Sequence, residues 1–139
     1  MQDKTNNDEL KKVLLKEINS AMEVLRQITE GFTDCANSLR VEQNERVFTQ
    51  LSELIKNLNL FVDFIKELKT GIDHLNASGC ALPVEPLIHW DKSLELFKNM
   101  LESFEGSDWV TLCDLIQYEL IPMLTEGDIK LTNLESALR

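Results

Sequence analysis

Two long runs of apolar residues, spaced alternately four and three apart, constrain the fold of this 139-residue chain more than any other feature. Such spacing places every apolar side chain on one face of an α-helix. The first run comprises Leu14, Ile18, Ala21, Leu25, Ile28, Phe32, Cys35 and Leu39, and the second Val47, Leu51, Leu54, Leu58, Phe61, Ile65, Leu68, Ile72 and Leu75. We therefore predict two long helices, over residues 8–40 and 44–75, that pair as an antiparallel hairpin.

The start and the middle of the first helix carry further signals. Asn7 and Asp8 precede the first run as candidate N-caps, so residues 1–7 are predicted to be a disordered N-terminus. The run passes through Gly31 without changing phase, which favours one continuous helix. A helix end at Gly31 is the alternative, because glycine is the usual residue just past a helix C-terminus.

The second half of the chain predicts another helical hairpin. Residues 76–86 contain Gly79, Pro83 and Pro86 and lose the apolar period, so they are predicted to be the loop between the hairpins. Helical spacing resumes over 86–105 and 108–126, and the apolar residues of the tail predict a short fifth helix. The predicted fold is an all-α, antiparallel four-helix bundle of two helical hairpins in one domain, 1–139.

Charge and cysteine content narrow the classes of partner and compartment. The net charge is −10, and the lysines are dispersed among acids, so nucleic-acid binding is not expected. A basic partner is the sharper interpretation of this charge. No apolar run reaches the roughly 18 residues of a membrane span, and the polar N-terminus does not resemble a signal peptide. Three widely separated cysteines indicate reduced thiols in a cytoplasmic protein.

Motifs for catalysis are missing from the sequence. It contains no glycine-rich phosphate loop, no paired Glu-x-x-His, no GxSxG and no HExxH. Cys35 and Cys113 occupy apolar positions where thiols are inert, whereas Cys80 lies in the predicted loop as an accessible thiol. We therefore predict no enzyme, no catalytic residue and no cofactor.

The best metal candidates are Glu85 and His89, which are four residues apart and share a helix face. Asp91 lies nearby in the sequence. Zinc requires three or four ligands in tetrahedral geometry, and these spacings match no strong pattern. The alternative interpretation is a surface histidine at a helix start, beside an inward-facing Trp90.

The predicted fourth helix is apolar on nearly every side. Asp114 and Glu119 are five residues apart, about 140° around a helix, so the two carboxylates diverge. We expect Asp114 to bond the Tyr118 hydroxyl and Glu119 to pair with a base on another helix. Pro122 is predicted to kink the helix near residues 118–121, so that Pro122→Ala straightens it.

This excess of apolar surface predicts a protein–protein interaction module, such as an adaptor, an assembly factor or a small chaperone. The expected occupant is a second copy in a homodimer or an amphipathic helix of another protein. The expected partner-binding residues are Trp109, Ile116, Tyr118, Leu120, Met123 and Leu124. A small metal-binding protein or enzyme using Glu85, His89 and Asp91 is one alternative, and a plain cytoplasmic domain with a central fourth helix is another.

Overall fold

A computed structural model describes the backbone of residues 2–139 and the side chains of residues 6–139. A 3₁₀ turn, His89–Lys92, and a π-helical turn, Ile116–Leu120, each join two α-helices. Within the described residues there is no strand, so the predicted all-α class is confirmed. The helices are α1 Gln2–Val41, α2 Glu45–Ala77, α3 Glu85–Ile88, α4 Ser93–Glu105, α5 Trp109–Leu115 and α6 Ile121–Leu138.

These elements form four antiparallel rods: α1, α2, a third rod of residues 85–105 and a fourth rod of residues 109–138. Ion pairs join Arg26 to Asp128 and Arg40 to Asp114, so α1 and the fourth rod run in opposite directions. The fourth rod contacts both α1 and the third rod. Its apolar character on nearly every side follows from these two partners.

Polar caps define the starts of two helices after short turns. Asn44 Oδ1 accepts a hydrogen bond from the Val47 amide at 3.0 Å at the start of α2. Asp108 Oδ1 accepts one from the Thr111 amide at 3.2 Å at the start of α5. Hydrogen bonds to Thr111 also hold the pKa of the Asp108 carboxyl below its usual value. Both turns are therefore closed by side chains that satisfy otherwise orphaned amides.

The boundaries of α1 differ from the prediction. The helix begins at Gln2, six residues before the predicted start, and Asn7 and Asp8 lie inside it. The predicted disordered N-terminus, residues 1–7, lies partly outside the described residues, because Met1 and the side chains of 1–5 are not described. Helix α1 continues through Gly31, where a Cβ atom would come 2.6 Å from Leu54 Cδ2. Gly31 therefore marks a close approach between α1 and α2.

The fourth rod continues past its predicted end at residue 126. Helix α6 runs through Gly127 to Leu138 and buries Leu131 and Leu134, so the tail is helical but is not a separate fifth helix. A Cβ atom at Gly127 would lie 2.7 Å from Cη2 of Trp90. Glycine here makes room for the indole instead of ending the helix.

The core runs along the axis of the bundle. Trp90 is its largest fully buried side chain, and its ring packs edge-on against Phe61 of α2, with 4.9 Å between ring centres. Leu25, Phe32 and Leu39 of α1 are fully buried. None of the described helices is long and apolar enough to cross a bilayer.

Candidate functional site

Four of the six expected partner-binding residues are core residues. Ile116, Leu120 and Leu124 have no exposed side-chain surface, and Met123 is 8% exposed. Their apolar surface is covered by the chain's own helices, so it is not presented to a partner. The fourth rod buries these four residues within the bundle, which corrects the expectation of an uncovered surface there.

The other two expected residues are accessible to different extents. Trp109 is half-buried, stacks on Phe48 with 4.8 Å between ring centres and meets Phe104 edge-on. These three aromatic rings form a cluster beside the start of α5. Tyr118 is 72% exposed on the π turn. Partner binding through Trp109 and Tyr118 stays a prediction.

Asp114 is held by a base instead of by Tyr118. Its carboxylate accepts a hydrogen bond from Arg40 Nη2 at 2.8 Å, and the same Arg40 nitrogen donates to Gln117 Oε1 at 2.7 Å. The expected bond between Asp114 and Tyr118 is therefore not formed. Glu119 is exposed, and it belongs to none of the ion pairs among the described side chains, which contradicts the expected pairing.

The π turn lies where the kink was expected. Pro122 has no amide hydrogen, and its ring is incompatible with an α-helical carbonyl four residues earlier. Just before it, the Ile121 amide donates to the Ile116 carbonyl five residues back. This wider turn separates α5 from α6 without ending the rod. The proline is thus accommodated by π geometry immediately before it.

The three candidate metal ligands do not converge. His89 is buried, and its Nε2 lies 2.9 Å from the Met123 carbonyl, so this nitrogen donates and is not free for a metal. The expected surface position of His89 is therefore wrong. Glu85 pairs with Lys130, which lowers the pKa of the Glu85 carboxyl, and Asp91 is exposed. Among the described side chains, no cluster of three His, Cys, Asp or Glu residues is placed to hold a metal ion.

The cysteines follow the expectation from their positions. Cys35 and Cys113 are buried, and Cys80 is half-buried. Burial, together with the nearby Cys113 thiol, raises the pKa of Cys35 to about 11. Burial also raises the pKa of Cys113, whose thiol donates to the Ala36 carbonyl at 3.6 Å. Neither buried thiol is poised as a nucleophile, because nucleophilic attack requires the thiolate.

A concave apolar surface lies between α1 and α2, on a face that the other two rods leave open. Its volume is about 550 Å³. Val24 and Leu60 are 45% and 59% exposed above a floor that includes Ile28 and Phe61. We call this surface the α1–α2 groove. It is lined by Lys16, Glu17, Ser20, Ala21, Val24, Gln27, Ile28, Leu54, Asn57, Leu60, Phe61 and Phe64.

Two close approaches between the helices bracket this groove. At one end Gly31 faces Leu54, and at the other a Cβ atom on Gly71 would lie 3.0 Å from Leu14 Cδ2. Every lining residue of α1 falls between Leu14 and Gly31 in the sequence. The groove is therefore an opening between two tight helix contacts, and it is not an extension of the core.

A smaller groove lies on the other side of α2. It is formed between α2 and α4 and has a volume of about 310 Å³. Ile55 and Phe97 lie within it, and Leu94 and Leu101 are exposed along its edge. Helix α2 thus has an apolar groove along each side.

Comparison with known protein families identifies the family of this chain. A family model described as a domain of unknown function, DUF8042, matches residues 16–126, which is more than half of the chain. This chain belongs to the DUF8042 family. No curated protein and no solved structure matches it. All residues that line the two grooves lie within the part that matches the DUF8042 model.

The sequence contained a weak signal for the groove of this DUF8042 chain. Val24 and Leu60 are apolar residues outside the two runs of four-three spacing. Each lies one residue from a buried position, Leu25 and Phe61 respectively. Isolated exposed apolar residues are common, so neither is informative alone. They indicate a groove only when the structure of the hairpin shows that both side chains lie along the same surface.

Proposed function

We propose that this DUF8042 chain is a non-enzymatic interaction module that receives an amphipathic helix of another protein in the α1–α2 groove. The observation that carries the proposal is an apolar groove, bordered by the exposed Val24 and Leu60, between two helices that approach closely at both ends. Contiguous exposed apolar surface is uncommon on soluble proteins and marks interaction sites. An adaptor, an assembly factor and a small chaperone would all use such a surface in the same way.

The length of the groove supports a helical occupant. Its lining on α1 extends from Lys16 to Ile28, and twelve residue steps at about 1.5 Å each span roughly 18 Å. That length matches about three turns of a bound helix. An amphipathic helix presents apolar anchors at positions i, i+4, i+7 and i+11 along one face. The exposed Val24 and Leu60 lie where such anchors would contact α1 and α2.

The border of the groove supports a protein ligand as well. Ser20, Gln27 and Asn57 line it beside the apolar floor and supply both hydrogen-bond donors and acceptors. An apolar centre with a polar border is the usual organisation of a protein interface. The proposal moves the binding surface from the fourth helix to the outer face of the first hairpin.

The setting we propose is the cytoplasm. All three cysteines are free thiols, which suits a reducing compartment. A second copy of the chain is the alternative occupant of the groove. Binding of a second copy would make the protein self-associate. The experiment below therefore measures the oligomeric state together with peptide binding.

Leu60→Asp tests the proposal, with Ile129→Asp as its matched control. Both wild-type side chains are 59% exposed, but Ile129 lies on α6, away from the groove. A fluorescent 16-residue helical peptide with four leucines on one face serves as the probe, and anisotropy gives its Kd. Because an apolar anchor is worth about 1.5–3 kcal/mol, we expect Leu60→Asp to weaken binding by roughly ten- to a hundredfold and Ile129→Asp to leave it unchanged.

Two results would overturn the proposal. One is a wild-type protein that does not bind the peptide, or that binds it equally well with Leu60→Asp. The other is a wild-type dimer in sedimentation analysis that dissociates with Leu60→Asp and not with Ile129→Asp. That second result would assign the groove to a second copy of the chain.

A further inference from the structure

Charges along the α1–α2 groove are distributed unequally between its two ends. From the middle of the groove to the end closed by Gly31, three exposed acids flank it: Glu23 and Glu30 on α1 and Glu53 on α2. Over the same stretch Lys56 on α2 is an exposed base, as is Arg26 on α1, which is paired with Asp128. Acids therefore exceed bases here.

The opposite end of the groove is balanced. Lys12 and Lys16 are exposed on α1, while Glu17 lies in the lining and Glu67 is exposed on α2. The groove thus changes along its length from a balanced end near Lys16 to an acidic end near Glu30. A helix lying along it would meet this gradient from one of its ends to the other.

Helical spacing places these acids on the edge of the groove. Gln27, a lining residue, follows Glu23 by four positions and precedes Glu30 by three. Residues three and four apart are neighbours on a helix surface, so Glu23, Gln27 and Glu30 share one edge. On the facing helix, Glu53 stands four positions before the lining residue Asn57.

None of these acids forms an ion pair among the described side chains: Arg26, which lies three residues after Glu23 and four before Glu30, bonds Asp128 instead. The ion pairs among the described side chains involve Arg26, Arg40, Lys69, Lys130 and Arg139, and none of them reaches Glu23, Glu30 or Glu53. Their carboxylates are therefore available to a ligand. Complementary charge at the border of an interface directs association and fixes the register of the bound partner.

We infer that the helix received by the α1–α2 groove carries lysine or arginine side chains at the end that lies over Glu23, Glu30 and Glu53. This inference rests on the proposed function. The apolar face of the ligand contacts the floor, and its basic end matches the acidic end of the groove. The partner is thus a basic amphipathic helix with its charge concentrated toward one terminus.

Three peptides test this inference. Each is a 16-residue helix with the same four leucines, and the last third of its polar face carries three lysines, three glutamines or three glutamates. Each exposed ion pair strengthens binding by about 1.4- to fivefold. We therefore expect the wild-type protein at low salt to bind the lysine peptide roughly tenfold more tightly than the glutamate peptide. Added salt is expected to narrow the difference.

A double variant tests the assignment of the acidic end. Glu23→Lys combined with Glu30→Lys is expected to reverse the preference in favour of the glutamate peptide. The control is Glu95→Lys combined with Glu102→Lys on α4, two exposed acids with the same seven-residue spacing. It changes the net charge equally and is expected to keep the wild-type preference. Circular dichroism and sedimentation verify that each variant remains folded and in the wild-type oligomeric state.

The possible failures are distinguishable. If the wild-type protein binds all three peptides equally and Leu60→Asp weakens them all, the proposed function stands and the inference about charge is wrong. If both double variants lose the preference alike, the effect is one of net charge and the assignment to this end is wrong. If the wild-type protein binds none of the peptides, the proposed function itself fails.

Discussion

At the scale of single residues, two glycines show how this chain sets the distance between its helices. Gly31 faces the flexible end of Leu54, whereas Gly127 faces the indole ring of Trp90. Trp90 is 1% exposed and packs edge-on against Phe61. A leucine side chain can change rotamer to admit a methyl group, but a buried ring fixed by its neighbours cannot.

Gly127→Ala is expected to lower the free energy of unfolding by about 1–2 kcal/mol. The methyl group overpacks the core at a typical cost of about 1–3 kcal/mol, and the better helix propensity of alanine returns up to about 1 kcal/mol. Gly31→Ala is the comparison. It is expected to raise the free energy of unfolding, because the gain in helix propensity exceeds the cost of moving the flexible end of Leu54. Urea unfolding of both variants measures the difference. Equal stability of the two variants would contradict the assigned role of Trp90.

The residue scale also shows why part of the candidate site was not predictable. The four-residue separation of Asp114 and Tyr118 is local and visible in the sequence. The partner of Asp114 is Arg40, which is 74 residues away, and no local pattern indicates that contact. His89 was misplaced for the same reason, because its burial depends on the carbonyl of Met123 in another rod.

At the scale of whole elements, the π turn before Pro122 shows packing prevailing over local preference. A return to α geometry would remove one residue from the turn and rotate α6 by about 100°. That rotation would take Leu124, Leu131 and Leu134 out of the core, where all three are fully buried. Loss of one buried leucine costs about 2–5 kcal/mol, whereas one restored hydrogen bond contributes about 0.5–1.5 kcal/mol.

Pro122→Ala is therefore expected to leave the π turn in place, in contrast to the straightening expected from the sequence alone. Pro122 is exposed, so the substitution leaves no cavity in the core. Hydrogen-bond couplings measured by NMR report the donor and acceptor directly. A retained bond from the Ile121 amide to the Ile116 carbonyl is the expected result. A bond from the Leu120 amide to that carbonyl would instead show that the proline imposes the turn.

Structural elements that are determined by the local sequence were predictable, whereas those determined by contacts with distant residues were not. The first two helices follow from the regular spacing of buried residues, which a single helix displays on its own. The continuation of α6 through Gly127 depends on Trp90 in the third rod, so a glycine that resembled a helix end is a site of close packing. The α1–α2 groove depends on the distance between two helices, which the spacing within each helix does not contain.

At the scale of the whole molecule, the fourth rod joins the two hairpins. It packs against α1 of the first hairpin as well as against the third rod. Separating the hairpins would expose core residues of α1, including Leu25, Phe32 and Leu39, all fully buried in the intact bundle. Full exposure of each costs about 1.5–3 kcal/mol, which is large relative to the usual stability of a domain.

The two hairpins are therefore expected to unfold together, and the chain carries separate probes for each. Both tryptophans, Trp90 and Trp109, lie in the second hairpin and pack against α2, so their fluorescence reports on that half and on its contact with the first hairpin. Most of the helical residues belong to α1 and α2, so far-UV circular dichroism reports mainly on the first hairpin. Urea transitions followed by the two signals should coincide in midpoint and in slope. A fluorescence transition that ends before most of the helical signal is lost would show that the first hairpin stands alone, and the packing of α1 against the fourth rod would then contribute little to stability.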